Sequence, residues 1–332
     1  MKRAMAVALA LALCQLAGCG GAGNPARPAP AYPLDQTLRL NQIQVLGTHN
    51  SYHLAPPAGP NLTPDRDVSQ SPLSVQLDRQ SVRQIELDVH ASAGGPLPVY
   101  HLQGDEGTTC PTLVQCLREV RDWSDSHRGH LPVFVLIEPK HEIGALVDAM
   151  AVDAEVRSVF RPDQLVTPDD VQGDSPTLRQ AVQDRGWPLL GSTRNKVVVV
   201  YTDEALTRLI YTSNETSLRG RSMFVYAEPS SPLGAFASVP DARAGSARIA
   251  ELLGAGFIVR TRADDSGVEA RANDASRATA ALASGAQLVS TDYPVPAPSG
   301  YVVPPPGTPA RCDPVTASPT LACAPRDVEN LG

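Results

Sequence analysis

Four short segments carry most of the residues of this chain that suit polar catalysis. They are His49 and Asn50 in VLGTHNSYH, Glu86 and Asp88 in QIELDVH, His101 in PVYH, and Glu138 with Lys140 in VFVLIEPK. Glu86 and Asp88 are two positions apart, so on a strand both side chains project to one side. Together with Glu138 they make three carboxylates, which repel one another when buried unless a proton or cation intervenes. Asn50, Glu86, Asp88 and Glu138 offer hard oxygen donors without thiolate or obligatory imidazole. That set fits one Ca2+ ion best and Mg2+ second. Two histidines beside such an ion, His49 and His101, suit acid–base catalysis: one removes a proton from a nucleophilic hydroxyl while the other protonates the leaving oxygen or hydrogen-bonds the developing charge. The cation would polarise a phosphoryl oxygen, which is the chemistry of phosphodiester cleavage.

These residues fall at the ends of apolar, β-rich runs. Eight candidate strands are predicted: Gln44–Thr48, Gln84–Val89, Pro98–His101, Val133–Glu138, Lys196–Tyr201, Met223–Glu228, Phe257–Arg262 and Gln287–Thr291. Between them lie amphipathic stretches, among them Cys110–His127, His141–Asp153, Thr177–Asp184, Ala242–Leu253 and Asn273–Ser284, with apolar residues at three- and four-residue spacing. Eight strands alternating with helices predict a closed α/β barrel, whose C-terminal face gathers the strand ends into one site. The stretch from Val89 to Leu97 is too short for a helical crossover between parallel strands, so Pro98–His101 fits a regular barrel poorly. Asp292 and Tyr293 end the last strand, in place for a site or a capping role. Arg260 and Arg262 share one side of their strand, facing the site or an ion pair with Asp264 or Asp265. His53 and His90 adjoin the motifs without being required by the chemistry.

The chain has 332 residues, 42% of them hydrophobic and 19% charged, with mean hydropathy −0.14, enough apolar material for a large core. Met1–Gly18 has the organisation of a secretory leader: two basic residues, an apolar stretch from Ala4 to Leu16, then small residues. Leu16-Ala17-Gly18-Cys19 resembles a bacterial lipoprotein cleavage box, which makes Cys19 the expected lipidated residue and residues 19–36 a Gly/Pro/Ala tether. The net charge of −7, or −9 without Lys2 and Arg3, excludes a broad basic surface for nucleic acid. No Gly-rich phosphate loop supports a nucleotide. Export leaves Cys110, Cys116, Cys312 and Cys323. Of their three connectivities, Cys110–Cys116 and Cys312–Cys323 close short loops and are the expected disulfides. Ten of the 31 prolines lie between 294 and 332, which marks 295–332 as a Pro-rich extension and leaves residues 37–294 for a single barrel.

The ordered set VLGTHNSYH, QIELDVH, PVYH and VFVLIEPK, with GFIVRTRADD and the STDYP at 290–294, resembles the calcium-dependent phosphatidylinositol-specific phospholipase C family, in particular its secreted bacterial branch. The likeness runs from about Leu40 to Pro294. It implies a distorted TIM (β/α)8 barrel, a Ca2+ ion, and attack of the inositol 2-hydroxyl on phosphorus to release diacylglycerol and a cyclic inositol phosphate. His49 resembles the family's phosphate-contacting histidine and His101 its second catalytic histidine. Asn50, Glu86, Asp88 and Glu138 resemble the calcium ligands, with Glu86 or Glu138 also able to share the base role. Lys140, Arg260 and Tyr226 stand at strand ends suited to phosphate or inositol contacts. The expected protein is an exported monomer acting on phospholipid at a membrane surface. Two rival readings are a glycerophosphodiester phosphodiesterase, which typically opens with an HRG-type turn where this chain has HNS, and a non-catalytic surface lipoprotein binding inositol lipids.

Overall fold

The computed structural model describes residues 32–330 apart from 58, 60, 61, 65, 143, 144 and 204–207. The leader, Cys19 and residues 19–31 of the expected tether lie outside the described residues. Eight parallel strands form the barrel: β1 (Ile43–Thr48), β2 (Val82–His90), β3 (Val133–Lys140), β4 (Val197–Tyr201), β5 (Met223–Val225), β6 (Phe236–Ser238), β7 (Ile258–Arg262) and β8 (Leu288–Thr291). Their order is β5-β4-β3-β2-β1-β8-β7-β6, and the two ends meet through a single parallel bridge between Tyr226 and Phe236, so the barrel is nearly closed. The predicted fold class, a distorted α/β barrel, is the fold observed.

One predicted strand is not a barrel strand. In the Pro98–His101 segment, Val99 forms an antiparallel bridge to Val89 and Pro98 one to Thr112, because the short connection after β2 can only fold back. The eighth strand is β6, whose three residues are too few to display a period-two pattern. Met223–Glu228 is likewise shorter than predicted, ending at Val225. The helix expected at His141–Asp153 occupies Ala149–Val159.

All nine residues of β2 are buried. Ile85, Leu87 and Val89 enter the apolar layer that also holds Leu113, Leu117 and Val120 of the helix Leu113–Ser126. Thr112 caps this helix by accepting a hydrogen bond from the Gln115 amide. The alternate residues Gln84, Glu86 and Asp88 turn the other way, into the barrel. There the Gln84 amide donates to the Thr48 carbonyl at 3.1 Å. A Cβ at Gly47 would lie 1.8 Å from Gln84 Oε1, so this layer requires glycine in β1. Both expected disulfides, Cys110–Cys116 and Cys312–Cys323, are formed.

The segment after β8 packs on the barrel. A ninth strand, β9 (Ala310–Cys312), pairs antiparallel with Ile43–Val45, the part of β1 that precedes its pairing with β2 at Leu46. Tyr301, Val303 and Val328 are buried, and buried Glu329 meets buried Arg83, with Nε to Oε2 at 3.2 Å. Among the described residues, no helix is long and apolar enough to cross a membrane.

Candidate active site at the C-terminal mouth

The turn after β1 is stitched to its neighbours. The His49 amide donates to the Thr291 carbonyl at 3.0 Å, and the Ser51 amide to the Glu86 carbonyl at 3.0 Å. Ser51 Oγ accepts from the Glu86 amide at 2.8 Å. Asn50 sits at φ 44°, a left-handed conformation that asparagine tolerates better than most residues. His49 Nδ1 lies 2.8 Å from Asp292 Oδ1, and its Nε2 lies 3.9 Å from Glu86 Oε1. Asp292 also accepts from Arg262 Nη2 at 3.2 Å. Burial opposes ionisation of Asp292, but His49 and Arg262 outweigh it and hold the carboxyl below its ordinary range. An ionised carboxylate only accepts, so Nδ1 carries the proton and Nε2 is left for chemistry. Burial likewise opposes the imidazolium of His49; Asp292 and Glu86 prevail over burial and Arg262, and raise its pKa.

Glu86, Asp88 and Glu138 come together as β2 and β3 pair in register, with Asp88 opposite Glu138, and their oxygens fall within 4.8 Å of one another. Glu86 is bound by Arg260 Nη2 at 2.6 Å. Lys140 Nζ stands 3.0 Å from Asp88 Oδ2 and also pairs with Glu138. Asp88 is fully buried; Lys140 meets its Oδ2, and its Oδ1 has no hydrogen-bond partner. Burial first, then repulsion from Glu138 and Glu86, push its pKa up to about 7 despite Lys140. Glu138 is shifted the other way: burial is overcome by Lys140, which lowers its pKa. A fully buried carboxylate with one oxygen unpartnered, beside two more carboxylates, is the environment a hard divalent cation would complete, so the oxygen donors fit the expected metal.

His101 lies on the loop that follows β2. This loop runs antiparallel to residues 52–54: Thr109 N donates to Tyr52 O at 2.8 Å and Leu54 N to Gly107 O at 3.0 Å. A Cβ at Gly107 would lie 2.2 Å from the Leu54 carbonyl oxygen, so this close approach excludes any side chain. His101 Nδ1 lies 2.8 Å from Asp105 Oδ2. His53 enters the same cluster, with Nε2 3.1 Å from Asp105 Oδ1. His90 instead stacks on Tyr100 and contacts its carbonyl.

Arg260 and Tyr226 line a polar cavity of about 320 Å³ together with Glu86, Glu138, Thr202 and Ser238. Lys140 faces the carboxylates. Arg262 pairs with Asp292 and Asp265. Asp292, open between a site and a capping role in the sequence, is brought beside His49 by the β1–β8 pairing. Asp105 carried no sequence signal, since it lies in the polar stretch QGDEG.

A nearly closed barrel with a three-carboxylate cluster and two aspartate-backed histidines at its C-terminal mouth belongs to the class of barrel enzymes that combine acid–base groups with a cation site. Comparison with known proteins gives the family. The family described as "Phosphoinositide phospholipase C, Ca2+-dependent" matches residues 38–101 and 96–314. The chain belongs to this Ca2+-dependent phosphoinositide phospholipase C family, whose members are phosphoric diester hydrolases. The fold is similar to that of a calcium-dependent phosphoinositol-specific phospholipase C from the Gram-negative bacterium Pseudomonas sp. (20% identity, TM-score 0.60, covering 84% of this chain and 97% of that one). It is also similar to that of a Ca2+-dependent phosphatidylinositol-specific phospholipase C from Streptomyces antibioticus (17% identity, TM-score 0.56, covering 77% and 95%). No curated protein matches the chain in sequence.

Proposed function

We propose that this protein cleaves the phosphodiester of phosphatidylinositol to diacylglycerol and a cyclic inositol phosphate, by attack of the inositol 2-hydroxyl. The observation that carries this reading is the pair of aspartate-backed histidines, His49 and His101, at the mouth that holds Glu86, Asp88 and Glu138. His49, with Nδ1 committed to Asp292, is the base that takes the hydroxyl proton at Nε2. Glu86 and Glu138 are instead engaged in ion pairs, with Arg260 and Lys140. His101 delivers a proton to the diacylglycerol oxygen as it leaves. Asn50, Glu86, Asp88 and Glu138 would hold one Ca2+ ion, which when bound supplies charge to a phosphoryl oxygen and to the attacking hydroxyl. Arg260 and Tyr226 line the head-group cavity, and Lys140 contacts the phosphate. The Pseudomonas relative has been crystallised with myo-inositol, which agrees with a cavity of this polarity and size.

A lipid surface as partner is supported by the rim of the mouth. Leu54, Leu102, Leu146, Ile210, Val268 and Val295 are exposed, and each belongs to a segment that follows the C-terminal end of a barrel strand. Each comes from a different loop at the strands' C-terminal end of the barrel, which is the end we read as lipid-facing. We assign residues 1–18 to a leader, 19–36 to a tether lipidated at Cys19 whose last residues pack down through buried Tyr32 and Leu34, and 37–294 to the barrel, which acts as an exported monomer. The test compares phosphatidylinositol with glycerophosphoinositol in Ca2+ for the wild type, His49→Ala and His101→Ala. Turnover of the intact lipid that both variants lose is expected. Turnover of the deacylated compound alone overturns the lipid assignment, and lipid binding without turnover in all three proteins overturns the catalytic one.

A further inference from the structure

Asp105 is a buried carboxylate that collects three nitrogen donors on the loop after β2. Oδ1 faces His53 Nε2 at 3.1 Å, while Oδ2 faces His101 Nδ1 at 2.8 Å and accepts from Arg66 Nε at 3.0 Å. The other ring nitrogen of His53, Nδ1, lies 2.7 Å from the Val68 carbonyl. Both nitrogens of His53 therefore face acceptors. His53 and Arg66 thus fix Asp105 from two sides and keep it ionised. Burial alone would raise its pKa, yet the His101, Arg66 and His53 contacts lower it. His53, His101 and Asp105 also present a possible metal-ligand set, but the Arg66 cation on the same carboxylate opposes an ion there.

We infer that Asp105 is a positioning residue which, clamped by His53 and Arg66, holds His101 with its Nδ1–H on the carboxylate and its Nε2 free for the leaving oxygen. This rests on the reading of His101 as the acid. The groups facing His101 are Asp105, His53 and Lys140. Burial, His53 and Lys140 lower its pKa and Asp105 opposes them. Removing the carboxylate therefore removes the one influence that favours the imidazolium.

The test uses full-length protein in saturating Ca2+ with two substrates: phosphatidylinositol, and an inositol phosphodiester with a nitrophenolate leaving group that needs no proton. Asp105→Asn is expected to lower kcat on phosphatidylinositol about 30- to 300-fold with KM within about threefold, and to move the alkaline limb of kcat about one pH unit lower. On the nitrophenyl ester the loss should stay below about fivefold. Equal losses on both substrates, or a kcat within about threefold of wild type on phosphatidylinositol, overturn the inference. A separate arm, His101→Gln, tests the underlying reading: full turnover there rejects His101 as the acid whatever Asp105→Asn does. Should Asp105→Asn fail to fold, nitrogen NMR of histidine-labelled wild type still decides. A neutral His101 ring protonated at Nδ1 supports the inference, and one protonated at Nε2 refutes it.

Discussion

Replacing Asp88 with Asn separates the electrostatic cost of the carboxylate cluster from its use. Asp88 is fully buried, and burial with repulsion from Glu138 and Glu86 outweighs Lys140 to raise its pKa from 3.8 to about 7. A folded-state pKa above the unfolded one means that stability is complete below about pH 4 and is lost as pH rises through about 7. The shift of roughly 3 units corresponds to about 4 kcal/mol against the ionised form at pH 8.5. Asp88→Asn removes that charge at nearly constant shape. The expected result, by urea denaturation in chelator, is near-equal stability of the two proteins at pH 4 and a variant more stable by about 2–4 kcal/mol at pH 8.5. Asp264, whose pKa burial and Asp292 also push up to about 7, is common to both proteins and cancels in the difference. Adding Ca2+ at about 100 times its Kd should stabilise the wild type by about 2.7 kcal/mol and Asp88→Asn by far less. A variant no more stable than wild type in chelator at pH 8.5, or one that gains as much from Ca2+, refutes the reasoning.

Further outcomes follow from other contacts. Asp292→Asn leaves a single acceptor oxygen for both His49 and Arg262, so the His49 tautomer is no longer fixed, and kcat should fall about 10²- to 10⁴-fold with circular dichroism unchanged. The double change Leu146→Glu and Ile210→Glu should weaken sedimentation with phosphatidylinositol vesicles and slow vesicle hydrolysis about tenfold or more, while turnover of a soluble short-chain substrate stays constant. Arg83→Ala strands buried Glu329 and should cost about 3–5 kcal/mol in chemical denaturation.

Much of the site was legible because it sits where a strand's two-residue period meets a barrel end. Glu86 and Asp88 alternate with Ile85, Leu87 and Val89, and Glu138 closes an unbroken apolar run, so the cluster could be read without a structure. The disulfides were legible because both pairs close short loops. Asp292 was only half legible: its meaning depends on β8 lying beside β1, a contact across more than 200 residues. Asp105 was not legible, since nothing in a polar loop says which histidine a carboxylate will meet. Pro98–His101 has the composition of a strand but folds back on β2. The true eighth strand, Phe236–Ser238, is too brief for any pattern. Nor did the proline content of the tail foretell β9, which pairs with β1 through only three residues.

The most direct measurement is a Ca2+ titration of phosphatidylinositol cleavage by the wild-type protein, followed by phosphorus NMR. The expected result is turnover that is absent in chelator, saturates with Ca2+, and releases a cyclic inositol phosphate. Turnover that persists in chelator, or none at any Ca2+ concentration, contradicts a Ca2+-dependent phospholipase site at Glu86, Asp88 and Glu138.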